Sequence, residues 1–380
     1  MRRGGYALAL GIYLALVGSV HAYLVGRLAF DTQLDAPWRT LLIGAFALGG
    51  GVMVAQPVVE RTLGPRISRL TAWPAYVWMG ASFYLLMGCW ASDVLMAVLG
   101  VDGVAAERWR ATVVAGGVLA LLPGAMLAAL RTPRVRRVEL SLARWPRALD
   151  GYRIVQISDL HIGALLRRGF AARVVERCNA LDADMIAVTG DLVDGNVHHL
   201  ADEVEPFRGL RARDGVYFVT GNHEYYSGAA HWIEKVQELG MRVLANERLA
   251  IRSSPASFLL AGVHDLSARR LGNAHGYDLD GALRDWDETT PLVLLAHHPR
   301  TFVQASRRGV DLQLSGHTHG GQMWPFVYLV RLQTTSVAGL YGNARSRLFV
   351  SQGTGFWGPP MRVLAPSEIT EIVVRAVEPV

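Results

Sequence analysis

Five short blocks of residues able to bind metal or move protons stand in order along the second half of the chain. They are Asp159-Leu160-His161, Gly190-Asp191, Gly221-Asn222-His223-Glu224, His297-His298 and Gly316-His317-Thr318-His319. Carboxylate, amide and imidazole groups in this combination are the donor set of a two-cation centre that hydrolyses phosphate esters. Two neighbouring divalent cations repel, so an anion must stand between them, and a carboxylate such as Asp191 can bridge. In an extended segment residues i and i+2 point the same way. Asp159 with His161, and His317 with His319, would then each present two groups to one small volume. Mixed donors suit Mn, Fe, Zn or Co better than Ca or Mg, whose preference is for oxygen alone.

Spacing dictates what must position these groups. Asp159 to Asp191 is 32 residues and Asp191 to Asn222 is 31, each close to one strand-helix-strand repeat. Apolar runs precede the blocks, at Ile154 to Ile157, Met185 to Val188, Val216 to Val219, Leu292 to Leu295 and Leu312 to Leu314, and read as buried strands. Segments of helical period, Phe170 to Leu181 and Leu200 to Arg211, supply crossovers of a parallel sheet. The blocks therefore meet where strands end. A single His or Asp at a strand end is ordinarily a turn residue, and only the ordered combination argues for a site. His298, His264, Asp265, His275 and the pair His198-His199 lack that support and read as loop or supporting residues. Asp194 and Gln322 adjoin the blocks and are placed to support the ligands from behind.

The blocks "SDLHIG", "TGDLVDG", "GNHEYY", "HHP" and "GHTHGGQ" resemble those of the calcineurin-like metallophosphoesterases, specifically their membrane-associated branch, over about residues 138 to 375. The resemblance implies a two-sheet β-sandwich flanked by helices. It implies one cation held by Asp159, His161, Asp191 and His319, and the other by Asp191, Asn222, His297 and His317. His223 would sit beside the phosphate, stabilising the transition state or protonating the leaving oxygen, with Glu224 orienting its ring. Family members often carry Asp where Glu224 stands. Asp191, His223 and Glu224 are thus the expected catalytic residues. The implied reaction is hydrolysis of a phosphodiester or pyrophosphate bond, in which water acidified by two cations attacks phosphorus in line. The resemblance extends to enzymes that split the pyrophosphate of UDP-diacylglucosamine in lipid A synthesis.

The first 130 residues are a different kind of object. Apolar stretches run from Tyr6 to Leu28, Trp38 to Val59, Trp73 to Gly100 and Ala111 to Leu130, each long enough to cross about 30 Å of hydrocarbon. An integral, multi-pass protein of the inner (cytoplasmic) membrane is expected. Arg2 and Arg3, then Arg61, Arg66 and Arg69, then Arg131, Arg134, Arg136 and Arg137 mark the cytoplasmic side, which places the second half in the cytoplasm. Met1 to Ala22 also has the look of a signal peptide; a retained helix is the favoured reading. Two cysteines, Cys89 and Cys178, exclude a disulfide framework. The net charge of +6 fits a basic neck, Arg131 to Arg137, against anionic lipid rather than nucleic-acid binding, for which no aromatic and basic platform is present. His21 and Asp93 are ionisable groups within the spans and are candidates to pair. Gly49-Gly50-Gly51 and Gly116-Gly117 read as sites of close helix packing.

Residues 131–150 form a basic linker and first edge strand, with Val138 to Leu142 alternating as an edge should and Trp145-Pro146 at a turn. Trp145 either anchors at the membrane interface or packs on the domain. Near the last block, Met323 to Val330 and Phe356 to Met361 are either apolar lips for a lipid substrate or a packed helix and an aromatic turn. Arg362 and Arg331 are candidates to meet a phosphate. The architecture expected is four transmembrane helices over residues 1–130 joined to an α/β metallophosphoesterase domain over 151–380. The leading expectation is metal-dependent hydrolysis of a membrane-embedded phosphate compound. Three alternatives stay open: a membrane-tethered nucleotide or cyclic-nucleotide phosphodiesterase, a phospholipid phosphatase, and a non-catalytic metal-binding membrane sensor.

Overall fold

The computed structural model describes residues 3–377 apart from Gly64, residues 272–275 and Ala344. Arg2 and His275, singled out above, lie outside the described residues. The chain divides into two compact units, Met1–Leu127 with Gly358–Met361, and Ala128–Trp357 with Arg362–Val380.

Helix α1 spans Arg3–Val25 and runs into a π-helical turn, Gly26–Phe30; α2 spans Ala36–Thr62, α3 Pro65–Leu99 and α4 Val104–Leu130. All four are long and apolar enough to cross a membrane. All four begin before the apolar stretches predict, α3 and α4 by the most, at Pro65 rather than Trp73 and at Val104 rather than Ala111. Pro65 is tolerated in a first turn. Arg108 and Arg110 extend α4 because their donors are used: Arg108 reaches the carbonyls of Thr32 and Gln33. Arg110 meets Asp93 at 2.6 Å and Glu107 at 2.5 Å.

His21 and Asp93 do not pair. His21 Nδ1 donates to the Val17 carbonyl at 2.8 Å, while Nε2 accepts from Trp78 Nε1 at 2.9 Å, so both ring nitrogens are used by the neutral tautomer. Asp93 instead accepts from Tyr23 at 2.5 Å and faces Arg27 at 3.1 Å as well as Arg110. Gly49 and Gly50 do allow close packing, since a Cβ there would meet Trp78 and His21 respectively. Gly116 and Gly117 face open space within this unit.

In the second unit the strands are β1 (Arg134–Leu142), β2 (Tyr152–Ile157), β3 (Met185–Val188), β4 (Val216–Phe218), β5 (Arg242–Val243), β6 (Glu247–Ser253) and β7 (Ala256–Gly262). They continue with β8 (Leu292–Leu295), β9 (Leu312–Ser315), β10 (Gly339–Gly342), β11 (Arg347–Val350) and β12 (Glu368–Ala376). Helices α5 (Arg168–Asn179), α6 (Val197–Val204), α7 (Asn222–Tyr226), α8 (Ala229–Glu238), α9 (Leu279–Ala282), α10 (Phe302–Arg307) and α11 (Val327–Arg331) intervene. Two six-stranded sheets result, in the orders β1-β12-β2-β3-β4-β5 and β10-β11-β9-β8-β7-β6. Strands β2 to β5 are parallel, as are β7, β8, β9 and β11.

The apolar runs are continuous because each sheet is covered on both faces. In β3, Met185 and Ala187 join Ile154, Val293 and Leu314 in a core between the sheets, whereas Ile186 and Val188 face Phe170, Val174 and Trp232 of α5 and α8. In β8, Leu292 and Leu294 turn to the opposite face, toward Leu279 and Ala305 of α9 and α10. The unit is thus a helix-sheet-sheet-helix sandwich. Arg134 to Arg137 of the supposed linker are strand, paired with Glu368 to Glu371 along the sheet edge. Trp145 is buried, 4.9 Å from the Phe258 ring, and is no interface anchor.

Candidate metal centre

Each strand run ends where a block begins, so the five blocks meet at the carboxyl ends of β2, β3, β4, β8 and β9. The backbone there is not extended. Asp159, His161, Asp191, His317 and His319 have φ between +49° and +71°, a left-handed conformation that costs about 1 kcal/mol or more per non-glycine residue. Convergence of Asp159 with His161, and of His317 with His319, therefore comes from tight left-handed turns rather than from strand alternation. The turns are held by the main chain: Asp159 N donates to the Gly190 carbonyl at 3.0 Å and His161 N to that of Asp191 at 3.1 Å. Glycines let the turns interlock. A Cβ at Gly221 would enter the Asp191 carboxylate, and one at Gly316 would enter Ser158 and the Asp159 carboxylate.

Asp191 stands at the middle. Its Oδ1 accepts from the His223 amide at 2.8 Å, which leaves Oδ2 3.2 Å from His297 Nε2 on one side and 3.8 Å from His161 Nε2 on the other. On the His161 side, His161 and His319 Nε2 atoms are 3.1 Å apart, and His319 Nε2 is 3.4 Å from Asp159 Oδ1. Across Asp191, His317 Nδ1 lies 2.9 Å from Asn222 Oδ1 and 3.3 Å from His297 Nε2. Two donors bonded to one cation at about 2.0 to 2.1 Å lie about 2.8 to 3.4 Å apart for right-angle to tetrahedral geometry. The separations fall in that window except for the longer His161 to Asp191 approach, so the donor set fits two cations sharing Asp191.

The electrostatics fit at three of the four candidate histidine ligands, His297 being the exception. Burial, reinforced by His223, lowers the His161 pKa to about 3. Burial with His297 lowers His317 to about 4, and burial with His161 lowers His319 well below its ordinary value. Neutral imidazoles are what a cation requires. Burial opposes charge on His297 too, but Asp191 outweighs it and raises that pKa well above the ordinary range. Thr189 O accepts from His297 Nδ1 at 2.7 Å, which aims Nε2 into the site.

Glu224 does not orient His223. It is fully buried and accepts from the amides of Gly221 at 2.6 Å, Leu192 at 2.8 Å, Asp191 at 3.0 Å and Val193 at 3.4 Å, tying the second block to the third. Burial and Asp191 push its pKa up to about 7 against those amides. The His223 ring is met by Asp194, 3.1 Å from Nδ1. Burial opposes its charge, yet Asp191 and the Asp194 hydrogen bond raise the His223 pKa to about 9. Asp194 was recognisable only as the second acid of the Gly190-to-Gly195 block.

Other sequence candidates are distributed unevenly. Arg362 meets no phosphate: its buried guanidinium donates to the carbonyls of His319, Gly353, Gly355 and Ala365, holding the site loops. Arg331 lies over the Tyr328 ring. Gln322 clamps the main chain of Trp357 at 2.9 and 3.0 Å, and the Trp357 and Tyr226 rings lie 5.7 and 5.2 Å from that of His223. His298 packs its ring 4.2 Å from that of His317, and His264 bonds Tyr225 at 2.9 Å. The His198 ring lies 6.5 Å from that of His231.

Residues 152–321 match the family model described as calcineurin-like phosphoesterase. The chain is 36% identical over 283 residues to a transmembrane protein with metallophosphoesterase domain from Danio rerio, covering 72% of this chain and 65% of that protein. It is 32% identical over 244 residues to an uncharacterized metallophosphoesterase from Aquifex aeolicus, covering 64% of this chain and 92% of that one. A 5′-nucleotidase precursor of solved structure from Thermus thermophilus shares 15% identity over 58% of this chain and 54% of its own, with a TM-score of 0.37, a likeness too low to carry an argument. The chain spans less than two thirds of the length of the Danio rerio relative.

Proposed function

This chain belongs to the calcineurin-like phosphoesterase family, and on that premise we propose that it is a membrane-anchored, two-metal phosphohydrolase cleaving a phosphodiester or pyrophosphate bond. The observation that carries the reading is the spacing of donors on both sides of Asp191 Oδ2. Asp159, His161, Asp191 and His319 would hold one ion, and Asp191, Asn222, His297 and His317 the other, drawn from Mn, Fe, Zn or Co. When bound, such ions neutralise phosphoryl oxygens and acidify water. His223, kept charged by Asp194 through Nδ1, protonates the leaving oxygen from its other nitrogen. Glu224 acts indirectly, by fixing the loops that carry Asp191 and His223.

A lipid-linked substrate such as UDP-diacylglucosamine is supported by the apolar rim at Trp357 and Tyr226 beside His223, on a chain with four helices long enough to cross a membrane. The distribution of arginines among the connections supports an inner-membrane protein with this domain in the cytoplasm. Full-length protein, purified and loaded separately with each metal, is to be assayed with bis-p-nitrophenyl phosphate while bound metal is counted. Turnover with two ions per chain is the expected result. Two tightly bound ions without turnover under any metal would favour the non-catalytic sensor. Lipid and nucleotide profiling of cells making the Asp191→Asn protein then tests the substrate: a soluble nucleotide accumulating alone would point to the nucleotide phosphodiesterase.

A further inference from the structure

Helix α11 buries none of its residues, although its sequence is Val-Tyr-Leu-Val-Arg. Such a segment would be costly in water and has no polar face to compensate. In the second unit, eight of the twelve exposed large apolar residues among those described fall between Trp324 and Leu364. Trp324, Phe326, Tyr328, Leu329 and Leu332 follow one another along α11 and its flanks, and Leu332 is 82% exposed. The bridge between Met323 and Val363 brings Leu364, 81% exposed, beside them. From Gln322 to Tyr341 the chain carries no acid and a single base, Arg331, whose guanidinium lies 5.7 Å from the Tyr328 ring centre.

We infer that the strip from Trp324 to Leu332, with Leu364, is a docking surface for the lipid bilayer and seats its side chains among headgroups and upper acyl chains. Three observations select lipid over a protein partner. The composition is that of interfacial anchors, with Trp and Tyr, aliphatic residues, and a lone Arg complementary to lipid phosphate. Only Arg131, Thr132 and Pro133 separate α4 from β1, so a chain held by its spans keeps this domain at a membrane surface permanently. The strip is also continuous with the site, since Gln322 at its start clamps Trp357 beside His223. The inference deepens the lipid reading above and rests on it for the purpose of docking, though the docking can be measured without catalysis.

Full-length protein in liposomes provides the test, with an environment-sensitive fluorophore on Leu332→Cys and, as control, on Glu234→Cys of α8. The native Cys89 and Cys178 are buried. A spin-labelled phospholipid should quench the Leu332 probe and leave the Glu234 probe bright. Equal quenching at both positions, or at neither, overturns the inference, as does disulfide cross-linking of Leu332→Cys copies without lipid quenching, which would make the strip a contact between chains. In the same liposomes, Leu329→Glu with Leu332→Glu should slow hydrolysis of a lipid phosphodiester by about tenfold and leave bis-p-nitrophenyl phosphate turnover unchanged. An unchanged lipid rate overturns the docking role. Wild-type protein inactive on both substrates but quenched at Leu332 would sink the catalytic reading and leave the docking intact.

Discussion

Buried charge is handled in opposite ways in the two units. Among the four helices, Asp93 lies between Arg27 and Arg110, and Glu107 and Asp31 also face Arg110, whose side chain is only 3% exposed. Acids and bases there neutralise one another. In the sandwich, Asp159 and Asp191 are more deeply buried than Asp93, yet their ion-pair partners among the described residues are all histidines. The difference teaches that burial of a carboxylate is not itself a sign of function. What distinguishes the second place is that no arginine or lysine answers these carboxylates, and the proposed cations would take that role beside the histidines.

The same chemical change should therefore have opposite consequences in the two places. Asp191→Asn should lower kcat by about a thousandfold or more and reduce bound metal below two ions per chain, while chelated protein keeps its wild-type melting temperature. His223→Ala should lower kcat by about a hundredfold to a thousandfold with two ions still bound. Loss of metal in that variant would show that His223 holds an ion and would redraw the site. Asp93→Asn removes the acid that Arg27 and Arg110 share, and should destabilise the helices by about 3 kcal/mol, seen as a lower melting temperature with metal content unchanged. If the two Asn variants lose stability alike, the contrast between the units is wrong.

The smallest effect is in pH dependence. His223 has a raised pKa, so its acid form persists above the ordinary imidazole range and is lost as pH rises through the folded value. Activity should fall on the alkaline side. Cations on Asp191 offset its contribution, which places that fall between the unperturbed 6.5 and about 9. His223→Ala should abolish the limb, and Asp194→Asn should move it to lower pH by about one unit. An unmoved limb would show that Asp194 has no hold on the ring.

Much of the fold was legible because apolar runs and their spacing are local records of burial. Met185 to Val188 and Leu292 to Leu295 are strands with the predicted bounds, covered on both faces as their composition requires. Phe170 to Leu181 is α5 to within two residues at each end. Helix α4 was harder, since Arg108 and Arg110 look like a loop until Thr32, Gln33, Asp93 and Glu107 are seen to accept their donors.

The identities of the candidate ligands lie in the sequence alone, because a cation's demand for carboxylate, amide and neutral imidazole is chemical and does not depend on where the chain goes. How those side chains are aimed was decided by tertiary structure. Left-handed turns at Asp159, His161, Asp191, His317 and His319 have no local signature, for none is glycine, and they persist only because hydrogen bonds between blocks far apart in the chain hold them. The same long-range packing gave the His223 ring to Asp194 and turned Glu224 toward four backbone amides. Neighbours in sequence can be read from sequence; neighbours across a sandwich exist only once it has closed.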